Sequence, residues 1–281
     1  MVTVGTSVIA SKVIGADVEP FLATALRHAL ALPVLIAMWA AMRLPQPVPK
    51  RRDMLLLAAQ AAAGSVGYAV LLIHGTRLAS AADAGVVAGT LPAMAALFSI
   101  VFLRERPTRR VLVAIACATV GVMLLAWGEP QLDATAAGPA AKLTGILLVL
   151  AAVACEAFFI LGQKRLSAPL HPVAMSTLMC AGGLVLSAVP ALMLWPSHAS
   201  TFTASALAGI AWYAWVPTVI GFLLWHAGAN RSTGSQAALA TVCLPITALL
   251  LAAAFLGESI QAWQWAGLGA VMAAVTLASR R

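Results

Sequence analysis

One acidic residue of this sequence stands inside a long apolar run. Glu156 lies in the run over 143–161, and Gln163 follows it seven residues later, on the same face of a helix. A carboxylate within such a run is costly to bury and usually marks an ion or proton pathway. We therefore expect Glu156 and Gln163 to lie on the pathway of a proton or a substrate. The alternative is a static role, in which Glu156 is the partner of a cationic or amide group in the helix bundle.

A repeated pattern places two prolines and two glutamates at matching positions. Pro92 and Pro245 each follow a leucine, and a Phe-Leu-x-Glu group ends with Glu105 or Glu258 thirteen residues after its proline. Proline removes a backbone donor and leaves a carbonyl free, and at membrane depth such backbone is tolerated where it lines a wet cavity. We expect the prolines to line a central cavity, against the alternative of a packing kink. The two glutamates are expected to be structural anchors of the repeat.

Aromatic side chains supply a third group of candidates. Tyr68, Trp215 and Phe222 are candidates for the wall of a substrate cavity. Trp215 lies seven residues before Phe222, so a regular helix places both on one face, and we expect this face to pack inward. Aromatic residues at helix ends are equally expected as belts at the membrane surface.

Three charged residues lie towards one side of the predicted helices. Lys12 and Asp83 are expected at helix ends on the outer side, and Arg27 lies within the second helix not far from it. Long basic side chains can extend to the membrane surface, so Lys12 or Arg27 is expected to pair with Asp83. This pair is interpreted either as a structural salt bridge or as an outer gate.

The composition indicates that most of this chain lies in a lipid bilayer. Of its 281 residues, 62% are hydrophobic and only 9% are charged, whereas soluble domains carry about 25% charged residues. Apolar runs long enough to cross about 30 Å of hydrocarbon make up almost all of the sequence. The net charge of +8 comes from short basic clusters between these runs, which are typical topology signals, so nucleic acid is not an expected partner. The four cysteines lack metal-ligand spacing, and no metal or other cofactor is expected.

Hydropathy predicts ten membrane-spanning helices. They cover about 1–15, 20–42, 54–74, 81–103, 111–127, 143–161, 173–194, 204–227, 236–256 and 262–279. A loop over 128–141, rich in turn residues, divides them into five and five. Because five is odd, the halves enter the membrane in opposite directions. The expected fold class is an all-α polytopic membrane protein with ten transmembrane helices in two inverted five-helix repeats.

The distribution of basic residues predicts the orientation of these helices. Alternate loops, together with the C-terminus, carry thirteen basic residues, whereas the loops on the other side carry two. Cytoplasmic loops are the ones enriched in Lys and Arg. Both termini are therefore expected in the cytoplasm.

The sequence resembles the EamA-type members of the drug/metabolite transporter superfamily. The features that carry the resemblance are the doubled Leu-Pro…Phe-Leu-x-Glu pattern, the five-plus-five arrangement, Gly5, Ser7 and Lys12 in the first helix, and Arg27 in the second. It covers one EamA-like repeat over 1–127 and another over 142–281, joined by the linker 128–141. The family usually has a tryptophan where this chain has Val4, and we expect the first helix to be truncated, with its natural beginning before residue 1.

The resemblance implies a secondary-active transporter of small organic metabolites in the bacterial inner membrane. By analogy with the family, it is expected to export amino acids or related metabolites or drugs by alternating access, coupled to protons. The expected partners are a small-molecule substrate, protons and the lipid bilayer. Both a monomer and a homodimer agree with the sequence.

Two other classes of protein are alternatives to a coupled transporter. A passive facilitator or channel, or a membrane partner subunit, would not need a lone titratable glutamate such as Glu156. An intramembrane enzyme would need paired acids, a Ser/His pair or metal ligands, and ATP-driven transport would need a P-loop. The sequence lacks these motifs, so we expect a transporter and not an enzyme.

Overall fold

The structure, a computed structural model, describes residues 1–44, 50–103, 109–127, 138–163, 165–167, 170–194, 202–229 and 243–279. Within these ranges the regular structure is helical, with no strands. The helices are α1 (Val2–Asp17), α2 (Pro20–Ala41), α3 (Arg51–Leu78), α4 (Ala81–Ala88), α5 (Leu91–Leu103), α6 (Arg109–Trp127), α7 (Gly138–Gln163), α8 (Pro172–Leu194), α9 (Ala204–Gly228), α10 (Cys243–Leu256) and α11 (Ala262–Ser279).

Several of these helices can cross a membrane. Among the described residues, α2, α3, α7, α8 and α9 are each long and apolar enough, and α4 with α5 forms a sixth span if the two are taken together. The helices α2 and α8 begin and end close to the bounds predicted from hydropathy. The helix α7 begins at Gly138, inside the loop predicted over 128–141. Pro139 does not prevent this start, because the first turn of a helix needs no intrahelical amide donor.

The helices α3 and α9 each contain a π-helical segment, in which each turn holds more residues than a turn of α-helix. The segment in α3 covers Ala61–Gly67, and the segment in α9 covers Ala214–Gly221. Their first residues are 153 positions apart, which is also the separation of Pro92 and Pro245. The two halves of the chain thus carry the same distortion at the same offset.

The chain bends by 42° between α4 and α5. Gly89 and Thr90 form the break, and Pro92 is the second residue of α5. A Cβ atom on Gly89 would lie 2.8 Å from Cγ of Pro245, so the break packs directly against Pro245 of α10. Pro92 therefore lies in the first turn of α5, next to a break, where a missing amide hydrogen costs little. Pro245 is the third residue of α10, and the residues before Cys243 lie outside the described part of the chain.

The core lies between the two halves of the chain. The helix pairs α2–α8, α3–α7, α4–α10, α6–α11 and α1–α9 are packed together, and each pair joins a helix before residue 128 to a helix after residue 137. One buried cluster, for example, combines Leu72 and Val87 with Val149 and Leu249. Movement of one half against the other would therefore change the core of the molecule.

The bundle has two ends, which we name by an aspartate at each. The Asp83 end contains the last residues of α1, α3 and α10 and the first residues of α2, α4, α7, α9 and α11. The Asp53 end contains the first residues of α3 and the last residues of α7. Asp53 itself accepts hydrogen bonds from the backbone amide and the hydroxyl of Ser167, at 3.3 and 3.0 Å.

At the Asp83 end, α1 and α3 cap each other. Lys12 Nζ donates to the carbonyl oxygen of Thr76 at 2.7 Å, and Arg77 Nε donates to the carbonyl oxygen of Gly15 at 2.6 Å. The last carbonyl groups of a helix have no intrahelical donor, and a cation there interacts favourably with the helix dipole. The two basic side chains thus hold the ends of α1 and α3 in register.

Candidate functional site

A cavity of about 40 Å³ lies at the level of the two π-helical segments. We call it the central cavity. The helices α1, α2, α3, α7 and α9 contribute its lining, which consists of Met1, Val4, Ser7, Arg27, Gly64, Tyr68, Glu156, Phe159, Tyr213, Pro217, Gly221, Phe222 and Trp225. Four of these residues were site candidates in the sequence analysis, namely Arg27, Tyr68, Glu156 and Phe222.

Arg27 is held in the wall of this cavity by uncharged groups. Arg27 is only 4% exposed. Its guanidinium carbon lies 4.4 Å from the ring centre of Tyr213, within the range of a cation–π interaction. One terminal nitrogen donates to the hydroxyl of Thr218 at 3.0 Å, and the other donates to the carbonyl oxygen of Ser65. Nε has no hydrogen-bond partner among the described residues. The positive charge is thus fixed in place while the Nε–H group stays unused.

The π-helical segment of α9 creates the site for Arg27. Pro217 lies inside this segment and has no amide hydrogen for the carbonyl of Tyr213, four residues earlier. The Thr218 hydroxyl donates to that carbonyl at 2.9 Å. Because this hydrogen is committed to Tyr213, the Thr218 oxygen is left as an acceptor for Arg27. The local break in the helix and the position of the arginine are therefore linked.

The π-helical segment of α3 requires glycine for a different reason. A Cβ atom on Gly64 would lie 2.6–2.7 Å from ring and Cβ atoms of Phe159, closer than real Cβ atoms approach other heavy atoms. The missing side chain lets α7 approach α3 closely, and Phe159 packs against Phe222 with ring centres 6.0 Å apart. The apolar wall of the cavity depends on this approach.

Glu156 lines the central cavity from α7. It forms no ion pair or hydrogen bond with a described residue, and Arg27 is the charged group that acts on its carboxylate electrostatically. The hydroxyls of Ser7 and Tyr68, 3.3 Å apart, complete the polar part of the lining. One acidic and one basic side chain therefore share a cavity without a hydrogen bond or ion pair between them. This position is compatible with the pathway role expected for Glu156, and the role itself stays a prediction.

Trp215 does not share a face with Phe222. Trp215 is 53% exposed and does not line the cavity, whereas Phe222 does. The prediction that both pack inward is wrong because both lie on α9 across the π-helical segment Ala214–Gly221. In this segment a spacing of seven residues no longer corresponds to two turns of helix.

Two further expectations about the cavity have different outcomes. Gln163 does not line the central cavity, but its side-chain oxygen accepts a hydrogen bond of 3.1 Å from the indole of Trp225, which does line it. Pro92 and Pro245 are not among the lining residues. The expectation that the two prolines line this cavity is therefore wrong, and Pro245 packs against the break between α4 and α5 instead.

The Asp83 end contains a buried polar cluster. Asp83, 3% exposed, lies 3.5 Å from Nζ of Lys142, which is 5% exposed, and accepts a hydrogen bond of 2.8 Å from Gln264. The ammonium group of Lys142 also lies 5.9 Å from the ring centre of Trp263. We call Asp83, Lys142, Trp263 and Gln264 the end cluster. It joins α4 to α7 and α11, and so joins the two halves of the chain.

The expected pairing of Asp83 with Lys12 or Arg27 is wrong. Lys12 donates to the carbonyl groups at the end of α3, including Ala79 at 3.0 Å, and Arg27 lies in the central cavity. The prediction compared positions along the helices and not the directions of the side chains around them. Lys142, which the sequence analysis counted among the loop charges, lies within α7 and is buried in the bundle.

Glu258 caps the first turn of α4. Its two carboxylate oxygens accept hydrogen bonds from the backbone amides of Ala81 and Ala82, both at 2.9 Å. The first amide groups of a helix lack intrahelical acceptors, and a negative charge there is favourable. Gly257, at a φ of +66°, makes the turn that precedes this contact. The other repeat glutamate, Glu105, lies outside the described residues.

A second cavity, of about 350 Å³, lies between α5, α6 and α7. The described residues of its lining are apolar apart from Thr90 and Thr119, and none of them is charged. Groups of three or more metal-ligating side chains are absent from the described part of the chain. The central cavity is therefore the better candidate for a site that handles protons or polar metabolites.

The sequence analysis did not identify Ser65, Tyr213 and Thr218 as parts of the site. A usable signal was present, because Ser65 and Thr218 are separated by the same 153 positions as the two prolines. Both are small polar residues in the middle of apolar runs, next to Gly64 or Pro217. A helix breaker beside a hydroxyl residue, repeated at the offset of the two halves, would have indicated this region.

The sequence was compared with known proteins. The model of the EamA-like transporter family matches residues 1–127 and 143–280. The "Uncharacterized transporter YetK" of Bacillus subtilis strain 168 is 28% identical, over 98% of this chain and 83% of that protein. The "Probable terminal-alkyne amino-acid exporter" of Streptantibioticus cattleyicolor is 27% identical, over 83% of this chain and 75% of that protein.

Two further comparisons agree with this result. The "Probable amino-acid metabolite efflux pump" of Salmonella typhimurium strain LT2 is 28% identical, over 60% of this chain and 57% of that protein. A protein of known crystal structure, 20% identical, superposes with a TM-score of 0.62 over 98% of this chain and 94% of that chain. The latter comparison shows that the two chains share a fold.

Proposed function

Since the chain belongs to the EamA-like transporter family, we propose that it is a secondary transporter that exports small organic metabolites in exchange for protons. Amino acids or related compounds are the proposed substrates, which the names of two relatives support. Export proceeds by alternating access, in which the central cavity opens to one side of the membrane at a time.

The observation that carries this proposal is the charge arrangement of the central cavity. Glu156 and Arg27 are ionisable groups within membrane-spanning helices, and they line one cavity between the two halves of the chain. Charged residues at this depth are costly unless they serve a pathway or a partner. Glu156 is the proposed proton carrier, because it has no hydrogen bond or ion pair to a described residue that would hold its proton state fixed.

The arrangement of helices proposed for this function is ten spans in two inverted repeats. The π-helical segments at the same offset in α3 and α9 support it. The pairing of helices also supports it. If α1 and α3 of the first half correspond to α7 and α9 of the second half, then the pair α3–α7 corresponds to the pair α9–α1, and both pairs are packed together. Repeats of this kind place the substrate site at their interface, where the central cavity lies.

The proposed orientation puts the Asp83 end outside and both termini in the cytoplasm of a bacterial cell. The excess of basic residues on alternate loops supports it. With this orientation, the end cluster is the closed outer side of the transporter. The central cavity of about 40 Å³ has room for about three water molecules, at roughly 10–15 Å³ each. A metabolite therefore requires movement of the two halves before it can enter.

Transport by purified protein in liposomes tests this function. A pooled library of amino acids and related metabolites is offered with and without an imposed pH gradient, and uptake of each compound is measured. Gradient-dependent movement of one class is the expected result. Movement that ignores the pH gradient would favour a passive facilitator, and no movement by folded protein would favour a partner subunit without transport activity of its own.

A further inference from the structure

We infer that Phe159, Phe222 and His226 form a barrier that closes the central cavity towards the Asp53 end, and that a proton bound by His226 opens this barrier. We call these residues the aromatic barrier. The inference rests on the proposed transport function, because alternating access requires the cavity to open towards each side in turn. It gives a role to a buried histidine that the proposed function does not use.

The aromatic barrier lies at the boundary of the central cavity. On α7, Glu156 and Phe159 line the cavity, whereas Gln163, the last residue of this helix, does not. On α9, Trp225 lines the cavity and donates its indole hydrogen to Gln163, and the next residue, His226, is not part of the lining. Since the last residues of α7 belong to the Asp53 end, the aromatic side chains stand between the cavity and that end.

The rings of the aromatic barrier pack against one another. Phe159 and Phe222 are stacked, with ring centres 6.0 Å apart and 22° between their planes. The ring of His226 is tilted by 65° to Phe159 and by 66° to Phe222, at distances of 5.9 and 5.8 Å between ring centres. Aromatic rings in stacked or edge-on arrangements at such distances attract one another. Because Phe159 comes from α7 and the other rings come from α9, these contacts close the space between the two helices.

His226 can accept one more proton in its present position. It is only 1% exposed, its Nδ1 lies 3.0 Å from the hydroxyl of Ser176, and its Nε2 has no hydrogen-bond partner among the described residues. The backbone carbonyl of Phe222 also forms a hydrogen bond with the ring. A carbonyl oxygen can only accept, so these partners assign the hydrogen of the neutral ring to Nδ1. Nε2 is then the basic nitrogen that stays free.

The surroundings of His226 offer no counter-charge for a second proton. Among the described residues, its hydrogen-bond and ring contacts are with Phe159, Ser176 and Phe222, which come from α7, α8 and α9 and are not titratable. Titratable groups on the helices around it have other positions: Glu156, Arg27, Tyr68 and Tyr213 line the central cavity, Asp53 is bonded to Ser167, and Cys180 donates to the carbonyl oxygen of His28. A cation on His226 would therefore be unpaired within the described part of the chain.

Protonation opens the barrier because this cation is unstable in an apolar contact. The proton passes from water at the Asp53 end to Nε2, and the neutral ring becomes an imidazolium with a hydrogen on each nitrogen. The attraction between a cation and aromatic rings is smaller than the cost of keeping an unpaired charge away from water. The ring therefore turns towards water and leaves Phe159 and Phe222. When Nε2 returns the proton to water, the three rings pack together again.

The two ends of the cavity should thus respond differently to acid. At the Asp83 end, the carboxylate of Asp83 and the ammonium group of Lys142 lie 3.5 Å apart, so this closed end contains its own counter-charges. The aromatic barrier instead contains one basic group without a counter-charge. Acid on the Asp53 side should therefore open the cavity on that side.

Access of a thiol reagent to the central cavity tests this inference without any substrate. Ser7→Cys places a reporter thiol in the lining, in a chain whose native cysteines are replaced. Membrane vesicles whose Asp53 end faces the medium, as shown by labelling of Arg51→Cys, are treated with a small membrane-impermeant methanethiosulfonate. The rate at each pH is divided by the rate for free glutathione at the same pH. Since the protonated fraction of a base changes tenfold per pH unit above its pKa, we expect the corrected rate to rise about 10- to 100-fold from about pH 8 to about pH 6.

Variants of the same reporter chain assign the effect to His226. His226→Phe keeps an aromatic ring and cannot take up the proton, so labelling should be slow at both pH values. His226→Gln, which keeps a polar side chain if His226→Phe does not fold, should also lose the pH dependence. His171→Asn is the matched control, because it removes an exposed histidine just before α8 and should keep the pH dependence. Val4→Cys reports on the same cavity if Ser7→Cys does not fold.

The outcomes separate this inference from the proposed function. Equal corrected rates at the two pH values, fast labelling at both, or an unchanged pH dependence in the His226 variants would overturn the inference. Liposomes that still transported a metabolite would then leave the transport function in place. Conversely, labelling that depends on pH through His226, in protein that transports no compound, would support the aromatic barrier and contradict the transport function.

Discussion

Ser65 and Thr218 hold the two terminal nitrogens of a single guanidinium group, that of Arg27, from opposite halves of the chain. They lie 153 positions apart, each in the π-helical segment of its own half. Arg27 has no basic counterpart at the same offset, where the chain has Cys180. One charged residue thus bridges two equivalent helix distortions, which places the polar part of the cavity on the line where the two halves meet.

The first prediction concerns Glu156. Glu156→Gln should abolish proton-coupled transport and leave the protein folded, because the amide keeps the shape of the side chain and cannot take part in proton exchange. Transport into liposomes is measured with and without a pH gradient, and folding by the thermal unfolding midpoint. Asp53→Asn is the control and should retain coupling. Unchanged dependence on the gradient in Glu156→Gln would remove this residue from the mechanism.

The second prediction concerns the two repeat prolines. Pro92→Ala and Pro245→Ala should both lower the transport rate severalfold, because each substitution restores an amide donor at a repeat proline, and Pro245 packs against the break that precedes α5. Pro190→Ala, in the interior of α8, is the matched control and should have a smaller effect on transport. Normal rates in both repeat variants would show that these prolines have no part in the transport cycle.

The third prediction concerns the hydroxyl of Thr218. Thr218→Val should lower the free energy of unfolding by about 1–2 kcal/mol, because the Tyr213 carbonyl and one nitrogen of Arg27 both lose a partner. Thr218→Ser keeps the hydroxyl and should be close to the unchanged protein. Thermal or chemical unfolding in detergent micelles measures both variants. Equal stability of the Val and Ser variants would mean that the two hydrogen bonds contribute little.

The fourth prediction concerns the space at Gly64. Gly64→Ala should destabilise the protein by about 1–3 kcal/mol, the usual cost of overpacking, since the added methyl group overlaps Phe159. Gly269→Ala is the control, because a Cβ atom there meets nothing within 4 Å. Unfolding midpoints of the two variants are compared under one set of conditions. A Gly64→Ala variant as stable as Gly269→Ala would indicate that α3 and α7 are less closely packed than described.

The fifth prediction concerns the orientation in the membrane. In a chain whose native cysteines are replaced, Arg51→Cys should react with a membrane-impermeant maleimide only from the cytoplasmic side. Ser205→Cys, exposed at the Asp83 end, should react only from the outside and serves as the opposite control. Labelling is compared in intact cells and inverted vesicles. The reverse pattern would overturn the proposed topology.

Hydropathy was sufficient to predict where the apolar helices lie. The bounds of α2, α8 and α9 are close to those read from the sequence, because twenty or so apolar residues have few alternatives to a spanning helix. The lone acid Glu156 was also identified in this way, since its cost in an apolar run is visible in the sequence itself.

The directions of side chains around the helices were less predictable. Arg27 was placed near the surface because only its distance from the end of α2 was known, whereas Thr218 and Tyr213, which fix it inside, come from a helix far along the chain. The grouping of Trp215 with Phe222 assumed a regular helix, and the π-helical segment of α9 invalidates that assumption. Such contacts depend on tertiary packing, which a periodic pattern in one segment does not contain.

The contact of Glu258 with the first amides of α4 also has a consequence for the order of biosynthesis. The groups that need this acceptor belong to Ala81 and Ala82, but the carboxylate is made 176 residues after the second of them. Domains usually fold from the N-terminus as the ribosome delivers them. Here the first turn of α4 cannot form its contact with Glu258 until nearly the whole polypeptide has been translated. The nascent first half therefore lacks one of its native contacts. A chain that ended before residue 258 would leave the backbone amides of Ala81 and Ala82 without the carboxylate that accepts their hydrogen bonds.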